Sequence, residues 1–148
     1  MAGADAVRED MPVERKTDES LILPGGYIDN VDAFDAHFFG MSPAEAAHLD
    51  YHQGHALEVT WQALEDAGIE PASLSGRKVG VYIGAISHEF AVLESLRGES
   101  STWAATGISN SLVANRVSYM LNVRGPSLTL DTACSSSLVT INDAVRDL

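Results

Sequence analysis

The residue best suited to covalent chemistry is Cys134, the only cysteine among the 148 residues. It follows the apolar run from Ser127 to Asp131 and precedes apolar residues at helical spacing, so we predict a strand-to-helix turn at this point. The positive end of a helix dipole favours thiolate over thiol, and first-turn amides can stabilise negative charge on an attacked carbonyl oxygen. Cys134 is therefore a candidate nucleophile.

An alternative interpretation of Cys134 remains open from position alone. A lone cysteine is often a small buried packing residue. A single cysteine forms no internal disulfide and no cysteine-based zinc site, so the choice lies between that interpretation and a reactive thiol. The next residues, Ser135, Ser136 and Ser137, keep the first helical turn small and polar, which leaves room for a bulky thioester.

Three histidines, His48, His52 and His55, have the spacing of metal ligands on one helical face, which raises the possibility of a zinc or copper site. No cysteine lies near them in the sequence. We favour solvated or capping histidines and predict no metal site.

The net charge of the chain limits the kinds of partner that it can bind. There are 21 acidic and 9 basic residues, a net charge of −12, which repels nucleic acid and anionic membrane surfaces. No run approaches the roughly 20 apolar residues that span a bilayer, and the N-terminus lacks the pattern of a signal peptide. We therefore expect a cytoplasmic protein that binds neither nucleic acid nor membrane.

The predicted elements follow an α-β-α-β-α order, which indicates an α/β fold with buried, parallel strands. Residues 1–23 mix charges without apolar periodicity, so we expect a poorly ordered leader there and a domain over residues 24–148. The domain should contain an irregular loop at 27–40, helices from Pro43, over 50–67, through 112–121 with capping candidates at 109–111, and after Cys134, and strands at 79–84 and 127–131.

Several segments of the chain resemble one family. The residues around the cysteine resemble the active-site signature of ketosynthase (β-ketoacyl synthase) domains, from polyketide synthases and animal-type fatty acid synthases: Asp131-Thr132-Ala133-Cys134-Ser135-Ser136-Ser137-Leu138. Further segments also resemble the family, and the resemblance runs from about Gly25 to Leu148: 26–29, 38–46, 61–68, 79–84, 115–119 and 125–127.

The resemblance implies a thiolase-like fold and a decarboxylative Claisen condensation. Cys134 would take an acyl group from a phosphopantetheine thioester on an acyl carrier protein, and a malonyl-type extender would then lose CO2 and attack that group. Both steps build negative charge on a carbonyl oxygen, and we expect the Cys134 backbone N–H to be the oxyanion donor. The resemblance also implies a homodimer, and no cofactor is expected to bind this segment.

Three features depart from the family pattern. By resemblance, condensation uses two histidines and a lysine C-terminal to the nucleophile helix, whereas all five histidines here precede Cys134. We expect the isolated chain to be inactive in condensation. Residues 1–23 do not resemble the apolar strand that opens the family domain, so we expect exposed sheet edges and marginal stability. Gly54 replaces a family arginine, at a cost of about 1 kcal/mol in a helix.

Two other functions stay open alongside condensation. One is a catalytically incomplete remnant or interaction module that keeps the nucleophile turn. The other is a thiolase or another acyl-transferring relative, which the long signature disfavours.

Overall fold

The structure, a computed structural model, describes residues 30, 33–86, 89–98 and 101–148. The chain divides into two units, Met1–Ala33 and Phe34–Leu148. In the first unit only Asn30 and Ala33 are described, and the Ala33 N–H donates to the Asn30 carbonyl at 2.9 Å. The predicted leader over residues 1–23 lies outside the described residues, so its order and its boundary stay predictions.

All regular elements in the described residues belong to the second unit. In chain order they are α1 (Pro43–Ala46), α2 (Tyr51–Asp66), a short 3-10 helix (Pro71–Leu74), β1 (Val81–Gly84), α3 (Glu89–Arg97), α4 (Thr102–Gly107), α5 (Ser111–Met120), β2 (Ser127–Leu130) and α6 (Ser136–Arg146). The predicted elements are all present within a few residues. The predicted order omitted α3, α4 and the 3-10 helix, and to that extent it was wrong.

The ends of the first two helices follow from local chemistry. The Ser42 hydroxyl accepts the Glu45 N–H at 3.2 Å, and proline occupies the first position of α1. The Asp50 carboxylate caps α2 by accepting the His52 N–H at 2.8 Å. Past the end of α2, Gly68 has a φ of +65°, the left-handed conformation that commonly ends a helix.

The two strands pair in parallel, with Val81 opposite Ser127 and Gly84 opposite Leu130. Alternate residues of β1 face opposite layers, as strand geometry requires. Val81 and Ile83 pack against a core made by Leu57 of α2, Val117 of α5 and Leu121, which follows α5. Tyr82 and Gly84 face the other way, towards α6. The strands therefore lie between an α2–α5 layer and α6.

Aromatic side chains attach the irregular segment 34–40 to α2. The rings of Phe34 and Phe39 stack at 5.2 Å, and Phe38 meets Phe39 and Trp61 edge-on at 4.9 and 4.8 Å. These rings anchor the described part of the predicted irregular loop to α2. Phe34 also packs over Gly54, where an added Cβ would lie 3.2 Å from its ring.

A buried polar network joins four helices. Gln53 is fully buried, and its amide nitrogen donates to the carbonyls of Thr106, Gly107 and Ser109 at 3.2, 2.7 and 3.2 Å. Its amide oxygen accepts the Arg116 Nε at 2.5 Å, and the same guanidinium pairs with Glu45 at 2.6 Å. Arg116 thus forms a structural ion pair within this network.

Within the described ranges, no helix combines the length and apolar character needed to cross a membrane.

Candidate functional site

Cys134 lies in a sharp turn between the end of β2 and the start of α6. The turn depends on Ala133, whose φ of +54° is a left-handed conformation that residues with a side chain rarely adopt. Cys134 itself is exposed. The interpretation of this cysteine as a buried packing residue is therefore wrong, and the predicted strand-to-helix turn is confirmed.

Side chains on both sides of Cys134 hold the turn in place. The Asp131 carboxylate accepts the Ala133 N–H at 2.9 Å, and the Ser135 hydroxyl donates to the Thr132 carbonyl at 2.7 Å. The Ser136 hydroxyl accepts the Thr132 N–H at 2.8 Å and donates to the Ala133 carbonyl at 2.7 Å. The polar signature around the cysteine thus forms the turn itself.

The backbone amides of the turn differ in what they can offer a substrate. The N–H groups of Ser135 and Ser136 donate to the carbonyls of Thr132 and Ala133 at 3.4 and 3.1 Å. For the Cys134 N–H, no hydrogen-bond acceptor is found in the described part of the chain. Of these three amides, the one on Cys134 is best able to bind a developing oxyanion.

An open, mostly apolar groove of about 610 Å³ lies beside Cys134. Its lining comes from α2, the end of β1, α5, the turn at Cys134 and the start of α6: His52, His55, Ala56, Val59, Thr60, Ile83, Gly84, Ala85, Ile86, Val113, Ala133, Cys134, Ser136 and Ser137. A groove of this size and character suits the apolar part of an acyl substrate.

Sequence reasoning missed that His52 and His55 line the groove with Cys134. Their i, i+3 spacing on α2 places both on one face of the helix, but nothing in the spacing says what that face meets. The Nδ1 atom of His52 bonds to Asp50 at 2.9 Å, and that of His55 bonds to the Tyr51 carbonyl at 2.7 Å.

The candidate metal ligands do not come together. His48 precedes α2, and its Nδ1 contacts the buried carboxylate of Glu94 at 2.7 Å. Across residues 33–86, 89–98 and 101–148, no group of three or more His, Cys, Asp or Glu side chains is arranged to hold a metal ion. The possible zinc or copper site at His48, His52 and His55 therefore has no geometric support.

At the other end of α6, the Tyr82 hydroxyl donates to the Asp147 carboxylate in a short hydrogen bond. That hydrogen bond, with smaller contributions from burial and from the charges of Asp147 and Asp143, raises the pKa of Tyr82 to about 12. The pair fastens the C-terminal end of α6 to β1.

Comparison with solved structures identifies the fold. The chain superposes with a TM-score of 0.79 and 35% identity on the ketosynthase from module 6 of the bacillaene synthase of Bacillus subtilis 168, covering 97% of this chain and 23% of that one. For the oxazolomycin ketosynthase domain OzmH KS7 of Streptomyces albus JA3453, the TM-score is 0.71 at 44% identity, covering 82% of this chain and 22% of that one. The fold is a partial thiolase-like α/β fold of the ketosynthase class.

Comparison with sequences gives the family. The family described as "Beta-ketoacyl synthase, N-terminal domain" matches residues 4–148. The chain is 43% identical over 130 residues to the spectinabilin polyketide synthase system protein NorC of Streptomyces orinoci, and 47% identical over 126 residues to the polyketide synthase GfsA of Streptomyces halstedii. The chain belongs to the β-ketoacyl synthase family, within its N-terminal domain.

The match covers most of this chain and little of its relatives. It takes in 88% and 84% of the chain but only 6% and 2% of the two polyketide synthases. The match to the family itself begins at residue 4. It therefore extends into residues 1–23, the segment that the motifs alone left outside the resemblance.

Proposed function

We propose that Cys134 is the acyl-accepting nucleophile of a ketosynthase that performs decarboxylative Claisen condensation in polyketide biosynthesis. The observation that carries this proposal is the position of Cys134. It is an exposed thiol at a constrained strand-to-helix turn, beside an apolar groove, in a chain that belongs to the β-ketoacyl synthase family. The related fatty acid pathway uses the same chemistry and stays open.

The first step transfers an acyl group to Cys134. The thiolate sulfur bonds to the thioester carbonyl carbon, and the carbonyl oxygen takes the negative charge, which the Cys134 N–H stabilises. The bond between that carbon and the phosphopantetheine sulfur then breaks. The released thiolate takes a proton from water, and the acyl group stays on Cys134.

The second step belongs to the whole ketosynthase. A malonyl-type extender on an acyl carrier protein loses CO2, and the resulting enolate carbon attacks the acyl carbonyl on Cys134. The carbon–sulfur bond breaks, which regenerates the thiolate and leaves a β-ketoacyl product on the carrier. The acyl carrier protein is the partner that this chemistry requires, and a second copy in a homodimer is the partner proposed by family resemblance.

A second candidate function is acyl acceptance by Cys134 without condensation. The positions of the histidines favour it: His52 and His55, which line the groove, lie on α2 before Cys134, whereas by resemblance condensation uses two histidines C-terminal to the nucleophile helix.

Two measurements separate these functions. The chain is incubated with an acyl thioester of N-acetylcysteamine, and the intact mass is measured with Cys134→Ala as the control. Both functions require a gain of one acyl group that the variant lacks, and an unchanged mass of the unsubstituted chain would contradict both. Malonyl carrier protein is then added to the acylated chain. A β-ketoacyl product supports condensation, and retention of the acyl group on Cys134 supports the second function.

A further inference from the structure

The backbone before Cys134 needs support from outside itself. Ala133 has a φ of +54°, and neither glycine nor a short polar side chain is present to make that conformation easy. Such conformations persist where surrounding contacts fix them. The position of Cys134 therefore depends on the groups that bond to its neighbours.

One buried hydroxyl bonds to both residues that precede the nucleophile. Ser136 is 6% exposed, and its Oγ accepts the Thr132 N–H and donates to the Ala133 carbonyl, at 2.8 and 2.7 Å. These bonds reach back across Cys134 from the first position of α6. They tie the left-handed residue to the helix that follows it.

We propose that Ser136 is a positioning residue for the nucleophile, a role that rests on the proposed function of Cys134. Its hydroxyl holds Ala133 in the left-handed conformation, and Ala133 in turn fixes where the Cys134 sulfur and backbone N–H point. The neighbouring Ser135 hydroxyl is exposed and bonds to Thr132 alone, so it does not reach the strained residue.

The end of β1 keeps Ser136 in its place. A Cβ built on Gly84 would lie 2.7 Å from the Ser136 carbonyl carbon and 2.7 Å from the Ser137 nitrogen. The backbone of the strand thus presses directly against the first turn of α6. This contact fixes the backbone of Ser136, from which its hydroxyl reaches Thr132 and Ala133.

The consequence for catalysis is specific to acyl transfer. Attack on a thioester needs the sulfur and the oxyanion donor aimed at one carbonyl group, whereas alkylation by iodoacetamide needs only the sulfur. We expect Ser136→Ala to slow acylation of Cys134 by about tenfold or more and to change alkylation by less than about threefold.

Thr140→Val is the matched control. Thr140 is also buried on α6, and its hydroxyl donates to the Ser136 and Ser137 carbonyls at 3.1 and 2.8 Å rather than to Thr132 or Ala133. Both variants remove one buried hydroxyl from the same helix. Rates are compared at a temperature where circular dichroism shows all variants folded, so unfolding cannot account for a difference. Acylation should stay within about twofold in Thr140→Val.

A rescue variant tests the link through Ala133. Glycine adopts a positive φ without strain, so Ala133→Gly should recover much of the acylation that Ser136→Ala loses. Equal acylation rates in Ser136→Ala and Thr140→Val, or no rescue by glycine, would overturn the proposal.

Failure of the unsubstituted chain to take an acyl group would count against the proposed function. The role of Ser136 can still be tested in that case by measuring the backbone conformation of Ala133. The three-bond coupling between the Ala133 amide and α protons reports its φ by NMR. We expect a left-handed value in the unsubstituted chain and in Thr140→Val, and a shifted value in Ser136→Ala. An unchanged coupling in Ser136→Ala would overturn the inference by itself.

Discussion

At the scale of single residues, the phenol of Tyr82 makes the stability of the folded chain depend on pH. Its pKa is about 12 in the folded chain, chiefly because the hydroxyl donates to Asp147, against about 10 for an unperturbed tyrosine. The folded state therefore holds the proton more tightly than the unfolded state. The stability from this pair is fully present below about pH 10 and is lost as the pH rises towards 12.

We expect Asp147→Asn to lower the pKa of Tyr82 towards its ordinary value, because the charged acceptor is gone. Tyrosinate absorbance during an alkaline titration measures this, with Tyr82→Phe identifying the transition among four tyrosines. Identical titration curves for Asp147→Asn and the unsubstituted chain would contradict the claim that the hydrogen bond to Asp147 raises the pKa of Tyr82.

Gly84 is a second residue with a definite expectation. A side chain at this position would press on the backbone of Ser136 and Ser137 at 2.7 Å, so Gly84→Ala should cost about 1–3 kcal/mol of unfolding free energy. Under the proposed function it should also slow acylation of Cys134, because the turn at Cys134 must shift.

Gly68→Ala is the control for this prediction. Gly68 has a φ of +65° with nothing within 4 Å of an added Cβ, so the substitution should cost about 1–2 kcal/mol through backbone strain alone. Urea unfolding gives the stabilities, and the acyl mass gain gives the activity. If Gly84→Ala acylates as fast as Gly68→Ala, the contact between β1 and the turn does not control the nucleophile.

At the scale of elements, the buried network around Gln53 joins α1, α2, α5 and the end of α4. Gln53→Leu leaves the Arg116 Nε and carbonyls at the end of α4 without their partner, and each loss of this kind costs about 1–3 kcal/mol. Gln62→Leu changes an exposed position of the same helix and should stay within about 0.5 kcal/mol. Denaturant midpoints measure both, and equal midpoints would show that the network adds no stability.

The elements that the sequence predicted are those whose caps and apolar spacing agree. Helix α2 has Asp50 at one end and Gly68 at the other, and both strands are short apolar runs. Helix α3 escaped prediction because its buried positions are Phe90 and Glu94, so a carboxylate interrupts the apolar pattern. The six residues of α4 are too few to show a period, although Ser101 caps them by accepting the Ala104 N–H at 3.0 Å.

The candidate site was only partly predictable. The turn at Cys134 could be predicted because the spacing of apolar residues changes there from that of a strand, in β2, to that of a helix, in α6. The left-handed backbone at Ala133 could not, because alanine carries no sequence signal for a positive φ. The packing of α2 against this turn, which brings His52 and His55 beside Cys134, could not be predicted from the sequence either. Contacts between elements distant in sequence depend on packing that one sequence does not display.

At the scale of the whole molecule, exposed apolar surface and net charge have opposite effects on self-association. Leu138, Ile141 and Val145 share the outer face of α6 and are 71%, 59% and 63% exposed. An exposed apolar stripe of this kind favours association. The net charge of −12 repels a second copy, and salt screens that repulsion.

We therefore expect the chain to self-associate, and more strongly at high salt than at low salt. Replacing Leu138, Ile141 and Val145 together with glutamine removes the stripe without changing the charge, so the variant should sediment as a smaller, more uniform species. Tyr119→Gln is the control, because Tyr119 is 89% exposed but lies on α5. Sedimentation velocity at two salt concentrations measures the effect. A monodisperse monomer with cooperative unfolding at both salt concentrations would contradict this prediction, and the expected marginal stability with it.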